Sequence, residues 1–122
     1  MECIRLANKT DISQLFTLYK SEGWHSFSED KIRTLFNSST YLVLENDGEL
    51  IAFARCLTDG AVTTFVAELL VAKDYRGRGM GKLLIREIQT RMAGTRLELI
   101  SEADGFYETV GFRAVGQGYR LA

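Results

Sequence analysis

Apolar residues follow a helical period in the first third of the chain and a strand period after it. They recur at helix-face spacing at Ile12, Leu15, Phe16 and Tyr19, and again at Ile32, Leu35 and Phe36. Strand-like runs then cover residues 41–45, 50–57 and 61–72, with Asn46-Asp47-Gly48 and Asp59-Gly60 as turns between them. With a short strand at 2–7, the pattern predicts β-α-α-β-β-β. Thr10 or Asp11 can cap the first helix, and Ser26 with Glu29 can cap the second.

The second half of the chain is organised around residues 68–92. An apolar run at 67–72 predicts a buried strand, and a glycine-containing loop follows it. Met80, Leu84, Ile88 and Met92 then step by four, which predicts an amphipathic helix. Residues 96–100 form the next predicted strand, parallel to the strand before the helix through a right-handed crossover. A short helix at 105–110 and a closing strand or hairpin at 112–121 complete the order β-α-α-β-β-β-α-β-α-β.

The loop between the buried strand and the amphipathic helix has the composition of a phosphate site. Gly77, Gly79 and Gly81 let the backbone approach an anion, and the helix start offers unpaired N–H groups. Arg76, Arg78 and Lys82 add positive charge. The spacing matches neither a P-loop, which needs four residues before Gly-Lys and then Ser or Thr, nor the dinucleotide fingerprint G-x-G-x-x-G. Another kind of nucleotide-binding protein stays open as an alternative.

Two motifs resemble those of the GNAT N-acetyltransferase superfamily. Arg76-Gly77-Arg78-Gly79-Met80-Gly81 is similar to that family's acetyl-coenzyme A motif, Arg/Gln-x-x-Gly-x-Gly/Ala. Phe106-Tyr107-Glu108-Thr109-Val110-Gly111-Phe112 resembles its downstream signature, Phe-Tyr-Glu-x-x-Gly-Phe. The predicted order of elements also resembles the family fold along nearly the whole chain, although the first helices match in order only.

The resemblance implies a fold and a donor. The fold would be a mixed α/β (α+β) domain over residues 1–122, with a mostly antiparallel sheet, helices on both faces and two splayed parallel central strands. The donor would be acetyl-CoA. Its diphosphate would bind the loop residues Arg76, Gly77, Arg78, Gly79, Met80, Gly81 and Lys82. Its pantetheine arm would pair with the backbone of Leu69, Leu70 and Val71 like an added strand.

The resemblance also implies direct attack of an amine on the thioester, with no covalent enzyme intermediate. Tyr107 is the candidate general acid for the leaving thiolate. Glu68 and Glu98 are candidate general bases. The alternative for Tyr107 is a packing role. Either glutamate could instead face solvent or pair with a lysine or arginine.

Trp24 and Phe27 occupy the region where the first helices of the resembled family wall the acceptor pocket. They are therefore candidate substrate-binding residues, and the alternative is two ordinary core or surface aromatics. The expected acceptor is a small-molecule primary amine. The second functional interpretation is a non-catalytic acyl-CoA-binding or sensing module.

Charge, cysteine spacing and hydropathy exclude several classes of binding partner. The formal net charge is −1, and no basic run is present, which argues against nucleic-acid binding driven by bulk charge. Cys3 and Cys56 lack metal-ligand spacing, so no metal is expected. No signal-peptide pattern and no apolar run of membrane-spanning length are seen, which favours a cytoplasmic protein without membrane contact. A homodimer stays open, since dimers are common in the resembled family.

Overall fold

The computed structural model describes all 122 residues and is built on one five-stranded sheet. Its strands are β1 (Glu2–Leu6), β2 (Thr40–Asn46), β3 (Glu49–Thr58), β4 (Thr63–Val71) and β5 (Arg96–Glu98). Its helices are α1 (Ile12–Ser21), α2 (Glu29–Leu35), α3 (Met80–Arg91) and α4 (Asp104–Thr109). Short 3-10 turns at Lys9–Asp11 and Lys73–Tyr75 lead into α1 and the glycine loop. The strands lie in sequence order, antiparallel except for the parallel pair β4–β5.

Helices cover both faces of this sheet, as predicted. On one face α1 and α2 bury residues such as Leu15, Tyr19 and Ile32 against Phe53 and Leu70. On the other face α3 buries Leu84, Ile85 and Ile88 against strand residues that include Leu44, Ile51 and Val66. The mixed fold class predicted from the sequence is therefore confirmed. No helix has both the length and the apolar character needed to cross a bilayer.

A bulge in β4 explains why β4 and β5 separate. Arg55 of β3 lies opposite Glu68, whereas the next residue, Cys56, lies opposite Val66, so Ala67 has no partner. Such an extra residue bends its strand and increases the local twist. The last pair between β4 and β5 is Phe65 with Glu98, immediately before the bulge. Beyond it the two parallel strands diverge, and the edge of β4 from residue 66 onward has no neighbouring strand.

Three details differ from the sequence-based expectation. Residues after α4 form no strand, so the predicted closing strand or hairpin at 112–121 is wrong. Gly116 and Gly118 offer no side chain to pack, and β5 is only three residues long, which leaves little edge for pairing. The side-chain cap of α2 is Ser28, which accepts from the N–H of Lys31, and not Ser26. Asp11 is the N-cap residue of α1, as predicted, but its side chain does not cap that helix; it forms a capping box with Asn8 around the preceding 3-10 turn.

Candidate active site

The glycine loop presents a run of free backbone donors. Gly77 and Gly79 have φ angles of 77° and 84°, which L-residues with a side chain adopt only at a cost. These two turns direct the chain into α3, whose N-cap is Gly79 without a side-chain cap. The N–H groups of residues 77 to 82 donate no hydrogen bond within the protein. The loop and the start of α3 can therefore accept an anion without breaking any existing bond.

The third glycine has a different role from the first two. Gly81 is buried in the first turn of α3 and has an ordinary helical φ. The ring of Phe106 lies directly against its Cα, since a Cβ there would come within 2.9 Å of the ring Cζ. This contact joins the two sequence motifs in space.

The three basic residues of the loop have different surroundings. Arg76 donates from Nε to the carbonyl oxygen of Val71 at 2.9 Å and forms an ion pair with Glu22, just past the end of α1. Arg78 lies over the ring of Tyr75, 5.2 Å from its centroid. Lys82 is exposed and forms no ion pair. Arg78 and Lys82 are thus available to a phosphate, whereas Arg76 is already engaged.

The end of β4 offers main-chain groups along its unpaired edge. The N–H of Ala72 donates to the carbonyl of Ile51 at 2.8 Å, so the main-chain N–H and C=O of Ala72 are directed toward β3. The main-chain N–H and C=O groups of successive residues alternate in direction along a strand. Those of Leu70 therefore also point toward β3, whereas those of Leu69 and Val71 point to the free edge. The side chain of Leu70 is buried in the α1–α2 core. Of the three residues predicted to pair with the pantetheine arm, Leu69 and Val71 thus have suitable groups and Leu70 does not.

Glu68 lies in a polar network beneath α1. Arg55 donates to its two carboxylate oxygens, from Nε at 2.6 Å and from Nη2 at 2.7 Å. The Tyr19 hydroxyl donates to Oε1 at 2.6 Å and lies 3.0 Å from the Tyr41 hydroxyl. Burial and the carboxylate raise the pKa of Tyr19 far above its ordinary value. Burial likewise raises the pKa of Tyr41. Both phenols are therefore fixed hydrogen-bonding groups near neutral pH.

The candidate acceptor-site aromatics contact this network through Tyr19. Phe27 stacks on the Tyr19 ring with centroids 4.0 Å apart and planes 8° apart. Trp24 lies 6.2 Å from the same ring in a tilted arrangement. Both side chains are partly buried and pack on the α1–α2 core. The predicted pair is thus brought together, one aromatic layer away from the Glu68 carboxylate.

Glu98 shares a sheet face with Glu68 but is less restrained. Leu97 and Leu99 pack toward α3, and Glu98 alternates to the other face. Its side chain is 41% exposed, and its nearest charged partner is Arg96, at 3.7 Å. That separation exceeds a hydrogen bond, so the carboxylate lone pairs remain available.

Tyr107 lies on α4 beside the strands that diverge. Its ring packs at the edge of the α3-side core, 5.0 Å from Phe106 and 5.6 Å from Phe112 between centroids. Burial, with a smaller contribution from the nearby Glu102 carboxylate, raises its pKa. The phenol forms no hydrogen bond within the protein. It lines an open groove of about 840 Å³ together with Leu97, Glu98 and Leu99. Its hydroxyl is a protonated donor at neutral pH that remains free for a ligand.

Sequence reasoning missed three polar residues at this site: Tyr19, Arg55 and Glu22. A signal for Arg55 was present, since it is the one charge within the apolar run of β3 and Glu68 is the one charge within the apolar part of β4. Adjacent antiparallel strands with one opposite charge each are suited to form an ion pair. Glu22 and Tyr19 carry no comparable signal, because they meet their partners only through the placement of α1.

The comparisons with known proteins agree with this geometry. A family model described as "Acetyltransferase (GNAT) domain" matches residues 37–114. An uncharacterized N-acetyltransferase, ycf52, of Pyropia yezoensis is 29% identical over 112 residues, covering 84% of this chain and 64% of that protein. A chloroplastic serotonin N-acetyltransferase 2 of Oryza sativa subsp. japonica is 25% identical over 118 residues, covering 88% of this chain and 59% of that protein. The chain thus spans about three fifths of the length of these relatives.

Solved structures show the same fold. An aminoglycoside N-acetyltransferase, AAC(6')-Iy, in complex with CoA superposes with a TM-score of 0.81 at 19% identity, over 100% of this chain and 94% of that chain. The expected cytoplasmic location stays a prediction, since the rice relative is named as chloroplastic. The family match spans residues 37–114, more than half of the chain, and includes both motifs and the splayed strands. The chain therefore belongs to the GNAT acetyltransferase family.

Proposed function

We propose that this protein transfers an acetyl group from acetyl-CoA to a primary amine of a small molecule by direct attack. The observation that carries the proposal is the unbroken run of free N–H groups from Gly77 to Lys82 at the start of α3. They lie next to the unpaired edge of β4, so one extended ligand could bind both. A diphosphate attached to an amide-containing arm has this combination of groups.

The residues present fit such a donor. The loop amides, with Arg78 and Lys82, would hold the diphosphate. Main-chain groups of Leu69 and Val71 would pair with the arm as an added strand would. The Val71 carbonyl now accepts from Arg76, so that bond would have to exchange for one to the ligand. When bound, acetyl-CoA supplies a thioester whose carbonyl carbon takes the amine nitrogen as the C–S bond breaks.

Tyr107 supports the leaving-group half of this reaction. Its hydroxyl is protonated at neutral pH and unbonded, and the residue, which is partly buried, lines the groove formed by β5, α4 and residues 110–118. A group of this kind can protonate the departing thiolate. General acids of this type contribute about 10²–10⁴-fold in rate.

Of the two candidate bases, Glu98 is the one whose carboxylate accepts no hydrogen bond within the protein, which favours it for this role. An ammonium group must lose a proton before its nitrogen can attack the thioester, and the Glu98 carboxylate has lone pairs available to accept that proton. The Glu68 carboxylate already accepts from Arg55 and Tyr19. Glu68 would instead hold the floor of the acceptor site in one geometry, and its unengaged lone pair could bind the amine.

Trp24 and Phe27 support an acceptor with an aromatic or aliphatic body. Both side chains are partly buried and lie on the α1–α2 side, the face that carries both glutamates. An amine with an apolar body could pack its carbon skeleton there while its nitrogen meets a carboxylate. The rice relative named as a serotonin N-acetyltransferase is consistent with an aromatic amine.

Two measurements test the proposal. Isothermal titration calorimetry should show binding of acetyl-CoA but much weaker binding of ATP, because ATP lacks the arm that pairs with β4. A thiol-release assay over aromatic, aliphatic and polyamine acceptors should then detect free CoA with at least one of them. Tight acetyl-CoA binding with no thiol release from any amine would instead favour a non-catalytic acyl-CoA-binding module. Stronger binding of ATP than of acetyl-CoA would contradict both.

A further inference from the structure

The ring of Phe106 lies on the bare Cα of Gly81. A Cβ at Gly81 would be 2.9 Å from the ring Cζ and 3.3 Å from Cε1. Since the φ of Gly81 is an ordinary helical one, its backbone conformation does not itself require glycine. In this chain a Cβ at position 81 would therefore require the Phe106 ring to shift.

Phe106 is also the immediate neighbour of Tyr107. The two rings meet edge to face, 5.0 Å apart with an interplanar angle of 69°. Their helix, α4, has only six residues and no side-chain cap at its N-terminus. A helix this short depends on tertiary packing for its position. The packing of Phe106 on Gly81 places α4 in direct contact with the start of α3, where the free loop amides lie.

We propose that Phe106 is a positioning residue, which fixes α4 through its contact with Gly81 so that the Tyr107 hydroxyl lies at the sulfur of the bound donor. This inference rests on the proposed function. It assigns to the Gly81–Phe106 contact a role in the leaving-group step, separate from the binding of the diphosphate.

The first test is Gly81→Ala. The added methyl group pushes the Phe106 ring, and with it α4, away from α3. A displacement of about 1 Å at a reacting group can cost about 10²-fold, so we expect kcat to fall by roughly that factor. KM for acetyl-CoA should change far less, since residue 81 keeps its N–H. The matched control is Gly105→Ala, which adds a methyl group in α4 where no atom lies within 4 Å, and it should leave kcat unchanged.

The second test relieves the clash. Leucine at position 106 lacks the ring Cε and Cζ atoms that approach Gly81. In the Gly81→Ala background, Phe106→Leu should therefore cost much less kcat than it does alone, or should restore part of it. Additive losses in this double-mutant cycle would contradict the proposal.

A third comparison separates positioning from general damage. In a Tyr107→Phe background, Gly81→Ala should have little further effect on kcat, because the group that it displaces is already absent. An equal loss with and without the Tyr107 hydroxyl would overturn the inference. Thiol release by the wild-type protein tests the proposed function independently of this result.

A readout without substrate keeps the inference testable if no acceptor is found. The tyrosinate absorbance of Tyr107 can be obtained by subtracting the titration of each variant's Tyr107→Phe partner. Because burial raises the pKa of this phenol, Gly81→Ala should shift it back toward its ordinary value of 10.0 as α4 moves outward. An unchanged titration would show that α4 had not moved and would contradict the proposal.

Discussion

Arg55 and Glu68 form an ion pair within the sheet, with side chains only 12% and 11% exposed. Two charges taken from water to this degree are costly unless each finds its hydrogen-bonding partners. Glu68 has Arg55 and Tyr19, and Arg55 also donates from Nη1 to the Ser39 hydroxyl at 3.0 Å. The network fixes a carboxylate next to the bulge of β4, beneath the aromatic side chains of the α1–α2 face. Its removal should therefore lower the stability of the fold and disturb the proposed acceptor site.

We expect Arg55→Leu to lower the free energy of unfolding by about 3–5 kcal/mol, because it leaves a largely buried carboxylate without its cation. The double variant Arg55→Leu/Glu68→Leu should be more stable than this single variant, since it removes both charges. Urea denaturation monitored by circular dichroism measures the difference. Arg91→Leu is the control, because its i,i+4 pair with Glu87 joins side chains that are 36% and 31% exposed, and such a helix pair contributes about 0.5 kcal/mol or less. A cost for Arg55→Leu no larger than that of the control would contradict the argument.

Tyr107 gives a second expectation at this scale. A protonated phenol is the active form of a general acid, and burial raises its pKa above the ordinary value of 10.0. The rate of the wild-type protein should therefore hold up to about pH 10 and decline only above it. Tyr107→Phe should lower kcat by about 10²–10⁴-fold and remove that alkaline decline. Acetyl-CoA turnover measured from pH 6 to pH 10.5 in both proteins provides the comparison. A retained alkaline decline in the variant would assign it to another group.

At the scale of the element, the loop and α3 together form the proposed donor site. Gly77 and Gly79 hold left-handed conformations so that successive N–H groups precede the helix start. The dipole of a 12-residue helix then adds partial positive charge at the same place. Both effects depend on backbone geometry, so the site should be more sensitive to the glycines than to the charge of Arg78 or Lys82.

Gly79→Ala tests this point against a matched control. Both Gly79 and Gly60 have positive φ angles, 84° and 74°, and at both positions an added Cβ would meet no atom within 4 Å. Alanine at either position should lower the free energy of unfolding by about 1–2 kcal/mol through left-handed strain. Only Gly79→Ala should weaken acetyl-CoA binding. We expect an affinity lower by about tenfold or more, which corresponds to about 1.4 kcal/mol or more of binding free energy. Calorimetric titration of both variants decides. Equal affinities would mean that the loop conformation does not matter for binding.

The elements also show where sequence patterns succeed and fail. The period-four stripe of α3 and the turn at Asn46–Gly48 predicted their elements well because they depend on local physics alone. The prediction of the last strand was wrong because a strand forms only where it can pair with a sheet edge of adequate length. The bulge at Ala67 could not be predicted either, because it depends on how β4 pairs with β3. Simple alternation places Glu68 on the same face as Val66, and only pairing with β3 shifts it to the α1–α2 face.

Across the whole molecule, several buried groups are held in their neutral forms. Burial raises the pKa of the Cys56 thiol to about 11, and burial also raises the pKa values of Tyr19, Tyr41 and Tyr107. In each case the folded protein holds the proton more tightly than the unfolded chain does. The stability from these groups is therefore complete below their ordinary pKa values, 9.0 for the thiol and 10.0 for the phenols, and it is lost as pH rises above them.

The free energy of unfolding should accordingly fall steadily above about pH 9. Cys56 alone should contribute a loss of about 2 kcal/mol between pH 9 and pH 11, because its pKa differs by about two between the unfolded and folded states. In Cys56→Ala the curve should start lower, because a buried group is lost, but it should be flatter over this range. Urea denaturation at half-unit pH steps measures both slopes. Parallel curves would show that the thiol of Cys56 is not held neutral by the fold.

The sequence by itself determined the family and every predicted helix and strand except the closing one. Helical periods, turn residues and two short motifs are local, so the residues that form them specify them without reference to the rest of the chain. Only the tertiary structure decided which groups are free and which are engaged. It paired Arg76 with Glu22 and Arg55 with Glu68, turned Leu70 away from the open edge and seated Phe106 on Gly81. These contacts join residues far apart in the chain, and they depend on a strand register and a bulge that no local pattern encodes.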